Sequence, residues 1–435
     1  MNRTEVLVVG AGQAGLATSW LLTREGVDHV LLEAHTAAHE WADTRWDSFT
    51  LVTPNWHCRL PGYAYEGPDP DGFMTRDEVV AWLAGYVASF DPPVREHTRV
   101  TALRPAADGD GYEVDATGPD GPEAWQAAQV VIATGGYHTP IVPPWASALD
   151  PSILQLQSAD YRNPGGLPEG AVLVVGTGQS GAQIAEDLHL AGRQVHLAVG
   201  DAPRVARFHR GRDCMTWLAE MGLYDTPVAR YPGGLAAREK TNHYVTGRDG
   251  GRDVDLRAFA RDGMRLYGLL DGGRGTQLAF QPTLRAALDA ADAVYSSINR
   301  DIDRWIEAQG VDAPPAQPYA PVWEPDEEPL ALDLVAEGVT SIVWAIGYRP
   351  DYRWVGVPVF DGSGRPAHER GVTPSDGLYV LGLPWLHTWG SGRFHGIARD
   401  AEHLVERILE QRAARLAERR ELSAVAILAG ERPAS

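Results

Sequence analysis

The segment that most constrains how this chain can fold occurs twice. Residues 6–15 read VLVVGAGQAG and residues 172–181 read VLVVGTGQSG, so eight of ten positions are identical at an offset of 166 residues (172 minus 6). Each copy begins with an apolar run that does not alternate with polar residues, as in a strand buried on both faces of a parallel sheet. Each run enters the pattern G-x-G-x-x-G and then a helical stretch, Gln13–Thr23 in the first copy and Gln179–Ala191 in the second. The repeat predicts an α/β protein with two equivalent strand–loop–helix units.

The three glycines of each unit have different physical roles, and together they indicate a dinucleotide site. The first allows a tight turn from strand to helix, the second lets the backbone approach a pyrophosphate, and the third lets the helix pack closely on the strand. The N-terminus of the helix then offers unpaired N–H groups to the phosphates. The predicted phosphate loops contain Gly10, Gly12, Gln13, Ala14 and Gly15 in the first unit and Gly176, Gly178, Gln179, Ser180 and Gly181 in the second. We therefore predict two dinucleotide-binding (Rossmann-like) domains.

The two units differ where the ribose of the nucleotide is expected. In the first unit Glu33 follows the second predicted strand, and a carboxylate there accepts hydrogen bonds from a ribose diol. Val199 is at the matching place in the second unit. It is followed by Asp201 and then by arginines, namely Arg204, Arg207, Arg210 and Arg212.

An acid in the first unit and arginines in the second favour different cofactors. The pattern predicts FAD or NAD in the first unit and NADP in the second, with Arg204 and Arg207 binding the 2′-phosphate. Two alternatives stay open. Asp201 could accept from the ribose of NAD, and the arginines could belong to a solvated loop.

The remaining apolar segments indicate how the two units share the chain. Residues 124–134 read as a strand that enters Ala133-Thr134-Gly135, residues 341–347 as one that ends in Gly347, and residues 377–382 as one that precedes a helix starting near Gly396. The glycine ends of these strands leave room for a cofactor. We predict an FAD-type domain from residues 1–164 and 341–435 and an inserted NADP-type domain from residues 165–340, with a helical insertion at about 211–310 and a proline-rich linker at 311–331.

Two further helices follow from local patterns. Thr75 is a predicted N-cap, and Glu78 completes a capping box at the start of a helix over Thr75–Ser89. An apolar stripe with spacings of four and three residues predicts a second helix, along Leu284, Leu288, Ala291, Tyr295, Ile298, Ile302 and Trp305. This stripe fits either packing on its own domain or a homodimer contact.

Charge and composition exclude several classes of protein. The chain of 435 residues has a formal net charge of −20, which disfavours nucleic acid and anionic membranes as partners. No apolar run approaches the roughly 18 residues of a membrane-spanning helix, and strand-like residues stand where a signal peptide would lie. Cys58 and Cys214 are the only cysteines, so a C-x-x-C redox pair is impossible, and no metal-ligand spacing appears. A cytoplasmic enzyme without a metal is expected.

Together these segments resemble the class B flavin-dependent monooxygenases, the group of flavin-containing monooxygenases, plant YUCCA-type enzymes and many bacterial FAD/NAD(P) oxidoreductases. The resemblance rests on both glycine motifs, Glu33, the block from Arg45 to Gly62 (RWDSFTLVTPNWHCRLPG), Ala133-Thr134-Gly135, and Ala345-Ile346-Gly347-Tyr348. The family motif F-x-G-x-x-x-H-x-x-x-(F/Y) falls on residues 151–161. There Tyr161 matches the terminal aromatic, and Gln157 stands at the position of the histidine.

The resemblance implies FAD and NADPH as cofactors and an activity of class EC 1.14.13. In the family, NADPH reduces FAD, oxygen adds to the reduced flavin at C4a, and the resulting (hydro)peroxyflavin oxygenates nitrogen or sulfur or attacks a carbonyl. The implied partners are molecular oxygen and a small-molecule substrate. Two alternatives keep the same fold: an NADPH oxidase or flavin reductase that releases hydrogen peroxide, and a non-enzymatic FAD-binding redox sensor.

The resemblance also suggests roles for single residues near the flavin. Trp46 and Thr53 are predicted to wall the flavin, Gly396 to aim a helix N-terminus at it, and Arg45 to pair a cofactor phosphate. A packed helix at Gly396 and a surface salt bridge at Arg45 are the alternatives.

Three residues are predicted as catalytic. Asn55 could hydrogen-bond flavin or peroxide, or be an ordinary turn residue, while Gln157 and Tyr161 are candidates for contacts near NADP. Three histidines in the neighbouring segments read more readily as structural groups than as acids or bases, namely His57, His387 and His395.

Overall fold

The computed structural model of the chain describes residues 1–107 and 109–428. Residues 108 and 429–435, which belong to the predicted first domain, lie outside the described residues. The α-helices are α1 (Gln13–Arg24), α2 (His39–Ala42), α3 (Arg76–Phe90), α4 (Gln179–Leu190), α5 (Cys214–Glu220), α6 (Leu256–Arg261), α7 (Leu284–Gln309) and α8 (Ile397–Leu428). Short 3-10 helices span Asn55–His57, Pro144–Ala148, Pro164–Gly166, Val228–Arg230, Gly234–Glu239 and Arg248–Gly250.

The strands follow the two units along the chain. They are β1 (Asn2–Val9), β2 (His29–Leu32), β3 (Arg59–Leu60), β4 (Tyr63–Ala64), β5 (Val94–Arg95), β6 (Arg99–Pro105), β7 (Tyr112–Gly118), β8 (Gly121–Ile132), β9 (Thr139–Pro140), β10 (Leu154–Gln157), β11 (Ala171–Val175), β12 (Val195–Ala198), β13 (Phe208–His209), β14 (Arg212–Asp213), β15 (Arg265–Tyr267), β16 (Leu270–Arg274), β17 (Gln277–Phe280), β18 (Ala331–Asp333), β19 (Val339–Trp344), β20 (Tyr348–Arg349) and β21 (Leu378–Val380).

The first sheet brings the ends of its parallel strands to one edge. Its order is β5-β2-β1-β8-β7-β6, and β21 also pairs with β8. β1 is parallel to both β2 and β8, and the register places Val9 level with Leu32 and with Ile132. Because parallel strands end at the same edge, the residues that follow them lie together there. Gly10, Glu33 and Ala133 therefore share the carboxyl edge, as the sequence predicts.

The second sheet repeats this arrangement. Its five strands run in the order β10-β19-β11-β12-β15, and every pair is parallel. Val175 lies level with Ala198 and with Trp344, so Gly176 follows its strand at the same edge as the ends of the two neighbouring strands. The α/β class with two dinucleotide-type units is thus present as predicted.

Strand pairing places the ends of the inserted unit differently from the predicted boundaries. β19 contains residue 341, the predicted return to the first domain, yet it pairs with β10 and β11 in the second sheet. β10, which lies before the predicted boundary at 164, also belongs to the second sheet. By pairing, the second unit spans residues 154–344. The sequence pattern cannot distinguish the two sheets, because an apolar strand that ends in glycine occurs in both.

The region predicted as a helical insertion is mixed. It contains α5, α6 and α7 together with β13 to β17, and β15 joins the second sheet. Residues 311–330 contain neither helix nor strand in the structure as described, in keeping with the predicted linker. Among the described residues, no helix combines the length and apolarity that crossing a membrane requires.

Both helices predicted from local patterns are present. α3 begins after Thr75, whose hydroxyl accepts from the backbone N–H of Glu78, while the Glu78 carboxylate accepts from the backbone of Thr75. α7 covers the predicted stripe, but its buried face ends with Asn299, Ile302 and Ile306. The stripe shifts by one residue because an α-helix has about 3.6 residues per turn rather than the 3.5 of a strict four-three repeat. Its buried residues pack on this chain's own core.

One buried carboxylate on α4 joins three separate segments. Asp187 accepts hydrogen bonds of 2.6 Å from the hydroxyl of Ser48, the hydroxyl of Tyr161 and the guanidinium of Arg248. Ser48 follows α2 beside the first sheet, Tyr161 follows β10, and Arg248 lies in the insertion. The three contacts hold the second unit against the segment that precedes α3.

The junction at Asp187 is testable by substitution. Asp187→Ala removes the shared acceptor, and we expect the free energy of unfolding to fall by about 3 kcal/mol, because a buried hydroxyl and a guanidinium lose their partner. Asp115→Ala is the matched control, since Asp115 pairs with Arg104 where both side chains are at least 40% exposed. That control should lose less than about 1 kcal/mol. Equal losses in urea unfolding would contradict the assignment.

Candidate functional site

The first phosphate loop has the backbone geometry that a dinucleotide loop needs. Gly10 has φ +102°, and a Cβ atom there would lie 2.9 Å from the carbonyl oxygen of Ala133. A Cβ atom at Gly15 would lie 1.9 Å from the carbonyl oxygen of Gly10, so only glycine lets α1 pack this closely. A Cβ atom at Gly12 would meet no described atom within 4 Å. The loop is closed towards the sheet and open at its second glycine.

The second phosphate loop repeats these features position by position. Gly176 has φ +101°, and a Cβ atom there would lie 2.6 Å from the carbonyl oxygen of Ala345. A Cβ atom at Gly181 would lie 2.0 Å from the carbonyl oxygen of Gly176, whereas one at Gly178 would meet nothing within 4 Å. Two segments with eight identical residues therefore adopt one conformation in two different sheets.

The helices that start from these loops have no capping side chain at their N-termini. The N-cap position is Gly12 in α1 and Gly178 in α4, and neither position provides a side-chain hydrogen bond. Neither helix carries an acidic residue in its first turn. The N–H groups and the positive dipole end therefore face outward without a protein anion, which is the arrangement that binds phosphate.

Glu33 lies beside the first loop, where it was predicted. Its carboxylate accepts from the backbone N–H of Ala11 at 2.7 Å and from that of His35 at 2.9 Å. In the second unit the bond between loop and strand end runs the other way, because Thr177 Oγ1 in the loop accepts from the backbone N–H of Gly200 at 3.0 Å. Val199 follows β12 without a carboxylate, so this part of the predicted difference between the units is present.

Arg204 does not offer its charge to the second loop, contrary to the predicted role. Its side chain is only 3% exposed, and its guanidinium lies 3.1 Å from a carboxylate oxygen of Asp292 and 3.2 Å from one of Asp255. The guanidinium also lies 4.4 Å from the ring centroids of Tyr295 and Tyr319. Arg204 joins α7 and the linker to the second unit and does not reach a free phosphate.

Arg207 is likewise engaged inside the protein. Its side chain is fully buried and forms an ion pair with Asp213. The guanidinium also donates to the carbonyl oxygen of Val52 at 2.8 Å and lies over the ring of Phe73. The next two arginines of the run are paired as well, Arg210 with Asp303 and Arg212 with Glu220. The prediction of a 2′-phosphate site at Arg204 and Arg207 is therefore corrected.

The loop after β8 carries polar atoms that the protein leaves unpaired. Ala133 follows β8, and its N–H donates to the carbonyl oxygen of Val9 at 2.9 Å. The Thr134 hydroxyl next to it is buried without a hydrogen-bond partner among the described residues. Gly135 and Gly347 both have positive φ, and a Cβ atom at either would meet nothing within 4 Å. Gly135 lies in the segment that borders the first loop, whereas Gly347 follows β19 and lies beside the second loop, where Ala345 meets Gly176.

Arg45 is a half-buried cation without a carboxylate partner among the described residues. Its guanidinium donates to Thr44 Oγ1 at 2.7 Å and lies 5.3 Å from the ring of Trp41 and 5.8 Å from that of Phe49. Burial lowers its pKa below the ordinary value for arginine. The alternative of a surface salt bridge is therefore not observed. An anion near this guanidinium would compensate for the lost solvation.

The predicted flavin wall is partly made of packed core. Trp46 is buried, with its ring edge-on to Phe49 at 5.2 Å between centroids. Thr53 is half-buried in the loop before the 3-10 helix at Asn55. At Gly396 a Cβ atom would lie 2.5 Å from the carbonyl oxygen of Gly390, so this glycine is needed for a tight turn.

The start of α8 differs from the predicted dipole site. Its first turn carries Asp400, a buried acid whose pKa is raised by burial. An acid in this position already interacts with the N-terminal dipole of the helix. The loop that leads to α8 does reach the first unit, because Gln13 donates to the carbonyl oxygen of Gly392 at 3.1 Å.

Two of the three predicted catalytic residues have structural bonds. The Asn55 amide donates to the carbonyl oxygen of Asp69 at 2.9 Å and accepts from the N–H of Met74 at 2.6 Å, so it holds the loop before α3. Tyr161 is buried and donates to Asp187, and burial raises its pKa.

Gln157 ends β10 level with Trp344 and is half-buried. The hydrogen bonds of Asn55 and Tyr161 do not join these residues into one catalytic group.

Sequence reasoning missed one contact that links the first loop to the C-terminal segment. The indole N–H of Trp41 donates to the side-chain oxygen of Gln13 at 3.0 Å, and its ring stacks on Phe394 at 5.1 Å between centroids. No spacing rule reveals this contact, because the partners lie far apart in sequence and meet only through the tertiary fold.

A cavity of about 540 Å³ is lined by residues 62–67, Met74, Glu78, Ala81 and Trp82. Trp82 forms part of its wall and meets Phe394 edge-on at 5.1 Å between centroids. Phe394 and Trp41 therefore connect the cavity wall to the first phosphate loop.

The two cysteines do not form a redox pair. Both are free thiols in the interior, and burial raises the pKa of each, to about 12 for Cys58. A thiolate is the reactive form, so a thiol with a raised pKa is inert near neutral pH. The site has the means to bind dinucleotides but no dithiol.

Comparison with known proteins places this site in context. The family described as pyridine nucleotide-disulphide oxidoreductase matches residues 7–218. A relative from Geobacillus kaustophilus (strain HTA426), described as an uncharacterized CzcO-like oxidoreductase, is 30% identical over 407 residues that cover 93% of this chain and 98% of that protein. The probable indole-3-pyruvate monooxygenase YUCCA3 of Arabidopsis thaliana is 29% identical over 205 residues, 46% of this chain and 47% of that protein.

A solved structure shares the fold. The flavin-containing monooxygenase from Stenotrophomonas maltophilia matches with a TM-score of 0.62 at 20% sequence identity, covering 94% of this chain and 99% of that one. The fold class predicted from the sequence is thereby confirmed.

Alanine substitutions in the first loop should distinguish the tightly packed glycine, Gly15, from the glycine that faces open space, Gly12. We expect Gly15→Ala to lower the free energy of unfolding by more than about 3 kcal/mol, because the methyl group would overlap a backbone carbonyl that cannot move away. Gly12→Ala should change it by less than about 1 kcal/mol, because the added methyl group meets open space. Urea unfolding of both variants tests this, and similar losses would show that the loop conformation differs.

Arg204 should behave as a structural cross-link. Arg204→Ala is expected to destabilise the fold by about 3 kcal/mol, because it empties a site that is only 3% exposed, removes the ion pair of Asp255 and leaves Asp292 with Arg257 alone. Arg212→Ala serves as the control, since Arg212 forms an ion pair with Glu220 in which the two side chains are 41% and 40% exposed. Thermal and urea unfolding should show little change for the control. A stable Arg204→Ala protein would return this arginine to the list of candidate ligands.

Proposed function

This chain belongs to the family of CzcO-like oxidoreductases, and from that premise we propose that it is an FAD-dependent, NADPH-consuming monooxygenase. It would oxygenate a small organic molecule at nitrogen or sulfur, or attack a carbonyl. The observation that carries this proposal is the pair of phosphate loops. Each closes on its own strand through two glycines and leaves its second glycine and its helix N-terminus open.

The first loop fits FAD by its own chemistry. The open position at Gly12 admits a pyrophosphate, and the uncapped start of α1 supplies its hydrogen bonds. Glu33 is positioned for a ribose. Among the described residues, the half-buried Arg45 has no carboxylate partner and the buried Thr134 hydroxyl has no hydrogen-bond partner. We assign FAD to this loop and take the first sheet, with residues 2–132 and 378–380, as the centre of the FAD-binding domain.

The second loop fits the nicotinamide cofactor. Gly178 is open, and α4 starts without a capping side chain or an acid in its first turn. We retain NADPH over NADH because Val199 stands where the ribose carboxylate of an NAD site would be. Since Arg204 and Arg207 are engaged elsewhere, backbone N–H groups and the helix dipole carry the binding of its phosphates. The second sheet is then the centre of an inserted NADP-binding domain.

FAD, when bound, accepts a hydride from NADPH and passes the electrons on to molecular oxygen. The protein's part is to bind both cofactors, to orient them and to keep water from the reacting atoms. Aromatic side chains near the first loop exclude water, since Trp46, Phe49 and Phe394 are all at most 9% exposed. The inert, buried cysteines argue against a second redox group that would divert the electrons to a disulfide.

Two matched variants test the assignment of the cofactors. We expect the purified protein to be yellow and Gly12→Ala to weaken FAD binding by about tenfold or more, because its methyl group would occupy the pyrophosphate position. Gly178→Ala should retain FAD and raise KM for NADPH. Absorbance titration and steady-state kinetics measure these effects. If both variants affect the same cofactor, the assignment of the two loops is wrong.

The reaction is tested by its balance of products. With a panel of amines, sulfides and ketones, a monooxygenase forms one oxygenated product for each NADPH and little hydrogen peroxide. Peroxide formation equal to NADPH consumption with every compound would support the oxidase instead. A protein that binds FAD but does not consume NADPH would support a redox sensor.

A further inference from the structure

The cavity of about 540 Å³ beside the β3–β4 hairpin and α3 shares no lining residue with either phosphate loop. Its lining comes from residues 62–67, from Met74 and from the first half of α3, whereas the two loops span residues 10–15 and 176–181. Clefts of this size accommodate small organic molecules. A ligand held there would be bound in addition to the dinucleotides.

Three aromatic side chains line the cavity, namely Tyr63, Tyr65 and Trp82. The ring centroids of Tyr63 and Trp82 lie 5.7 Å apart, with the two rings tilted by 42°. The face of an aromatic ring is negative because of its quadrupole, so it attracts a cation and repels an anion. These walls therefore favour a positively charged ligand over a negatively charged ligand of the same shape.

Glycines make room for two of these rings. A Cβ atom at Gly85 would lie 2.4 Å from the hydroxyl oxygen of Tyr63, and one at Gly67 would lie 2.3 Å from the hydroxyl oxygen of Tyr65. A larger residue at either position would push the ring aside, and Gly85 is retained although glycine destabilises the interior of a helix. The two rings rest on backbone before a ligand binds, which lowers the entropy that binding costs.

The charged side chains in the described lining are both acidic, Glu66 and Glu78. Glu78 is held by the capping box of α3, where its Oε2 accepts from the N–H of Thr75 at 2.8 Å and from its hydroxyl at 2.9 Å. Glu66 is exposed. Arg59, on the neighbouring strand, donates to the carbonyl oxygen of Trp56 at 3.1 Å and does not line the cavity. The charge of the lining is therefore negative.

We propose that this cavity binds an organic ammonium ion, a positively charged nitrogen that carries an apolar group. The nitrogen lies against the aromatic faces and near the carboxylates of Glu66 and Glu78, and the apolar group packs on Met74, a polarisable side chain that is 4% exposed. No bond forms or breaks on binding. Because the cavity is separate from both phosphate loops, this inference does not rest on the proposed function.

Three probes of similar size and different charge test the site. Benzyltrimethylammonium is the cation, benzyl alcohol the neutral compound and benzoate the anion, and each is titrated into the full-length protein by isothermal titration calorimetry. We expect the cation to bind about tenfold more tightly than benzyl alcohol, because it gains the attraction of the ring faces and of the two carboxylates. Benzoate should bind more weakly than benzyl alcohol.

Matched variants locate the cation within the chain. Tyr65→Leu removes a ring and should weaken binding of benzyltrimethylammonium by about fivefold, whereas Tyr65→Phe keeps the ring and should bind like the wild type. Glu66→Gln removes one charge and should weaken binding by about threefold. Asp71→Asn is its control, because Asp71 is an exposed carboxylate of the same loop that does not line the cavity. That control should bind like the wild type.

The result that overturns the proposal is equally direct. If the wild type does not bind benzyltrimethylammonium, or binds it no more tightly than benzyl alcohol, the cavity is not an ammonium site. Equal losses for Glu66→Gln and Asp71→Asn would show that the cation responds to the general charge of the protein and not to the cavity. Should Tyr65→Leu not fold, the comparison of these two carboxylate variants decides the same question.

Discussion

The structure depends on one close approach that occurs twice, between the third and first glycines of each phosphate loop. A Cβ atom at Gly15 or Gly181 would lie 1.9 or 2.0 Å from a backbone carbonyl oxygen, so no other residue brings the helix this near to its strand. That approach sets the helix N-terminus at the carboxyl edge of the sheet. The edge then gathers the ends of the neighbouring parallel strands, including Glu33 and Ala133. The site is a consequence of this packing, and the rest of the chain connects and shields its two copies.

An acidic protein can accept anionic cofactors if backbone N–H groups, rather than charged side chains, bind their phosphates. Its net charge is −20, and many of its arginines are tied to carboxylates inside the fold. Arg204, Arg207 and Arg248 join the insertion and the linker to the two units rather than facing solvent. Binding of phosphate then falls to oriented backbone N–H groups, which need no lysine. Arg45 is the exception, a half-buried guanidinium beside aromatic rings and without a carboxylate partner in the part of the chain described.

Features coded by neighbouring residues could be predicted from the sequence. The capping box of α3, the conformation of both phosphate loops and the place of Glu33 each depend on a few consecutive residues. The predicted resemblance to class B flavin-dependent monooxygenases, made on these same motifs, is confirmed. Features that depend on distant partners could not be predicted. Arg204 meets Asp292 across 88 residues, and β19 joins the second sheet because of its pairing with β10 and β11. The sequence of an arginine run does not indicate whether the arginines bind a phosphate or pair with aspartates inside the protein.

We expect a single chain to hold two different dinucleotides at once in its two equivalent loops. Native mass spectrometry of the protein with FAD and NADP⁺ measures this directly, because it counts the bound molecules on each chain. The account predicts a complex that carries one FAD and one NADP⁺ per chain, with neither displacing the other as its concentration rises. A chain that never carries more than one dinucleotide, or one in which FAD and NADP⁺ exclude each other, would contradict it.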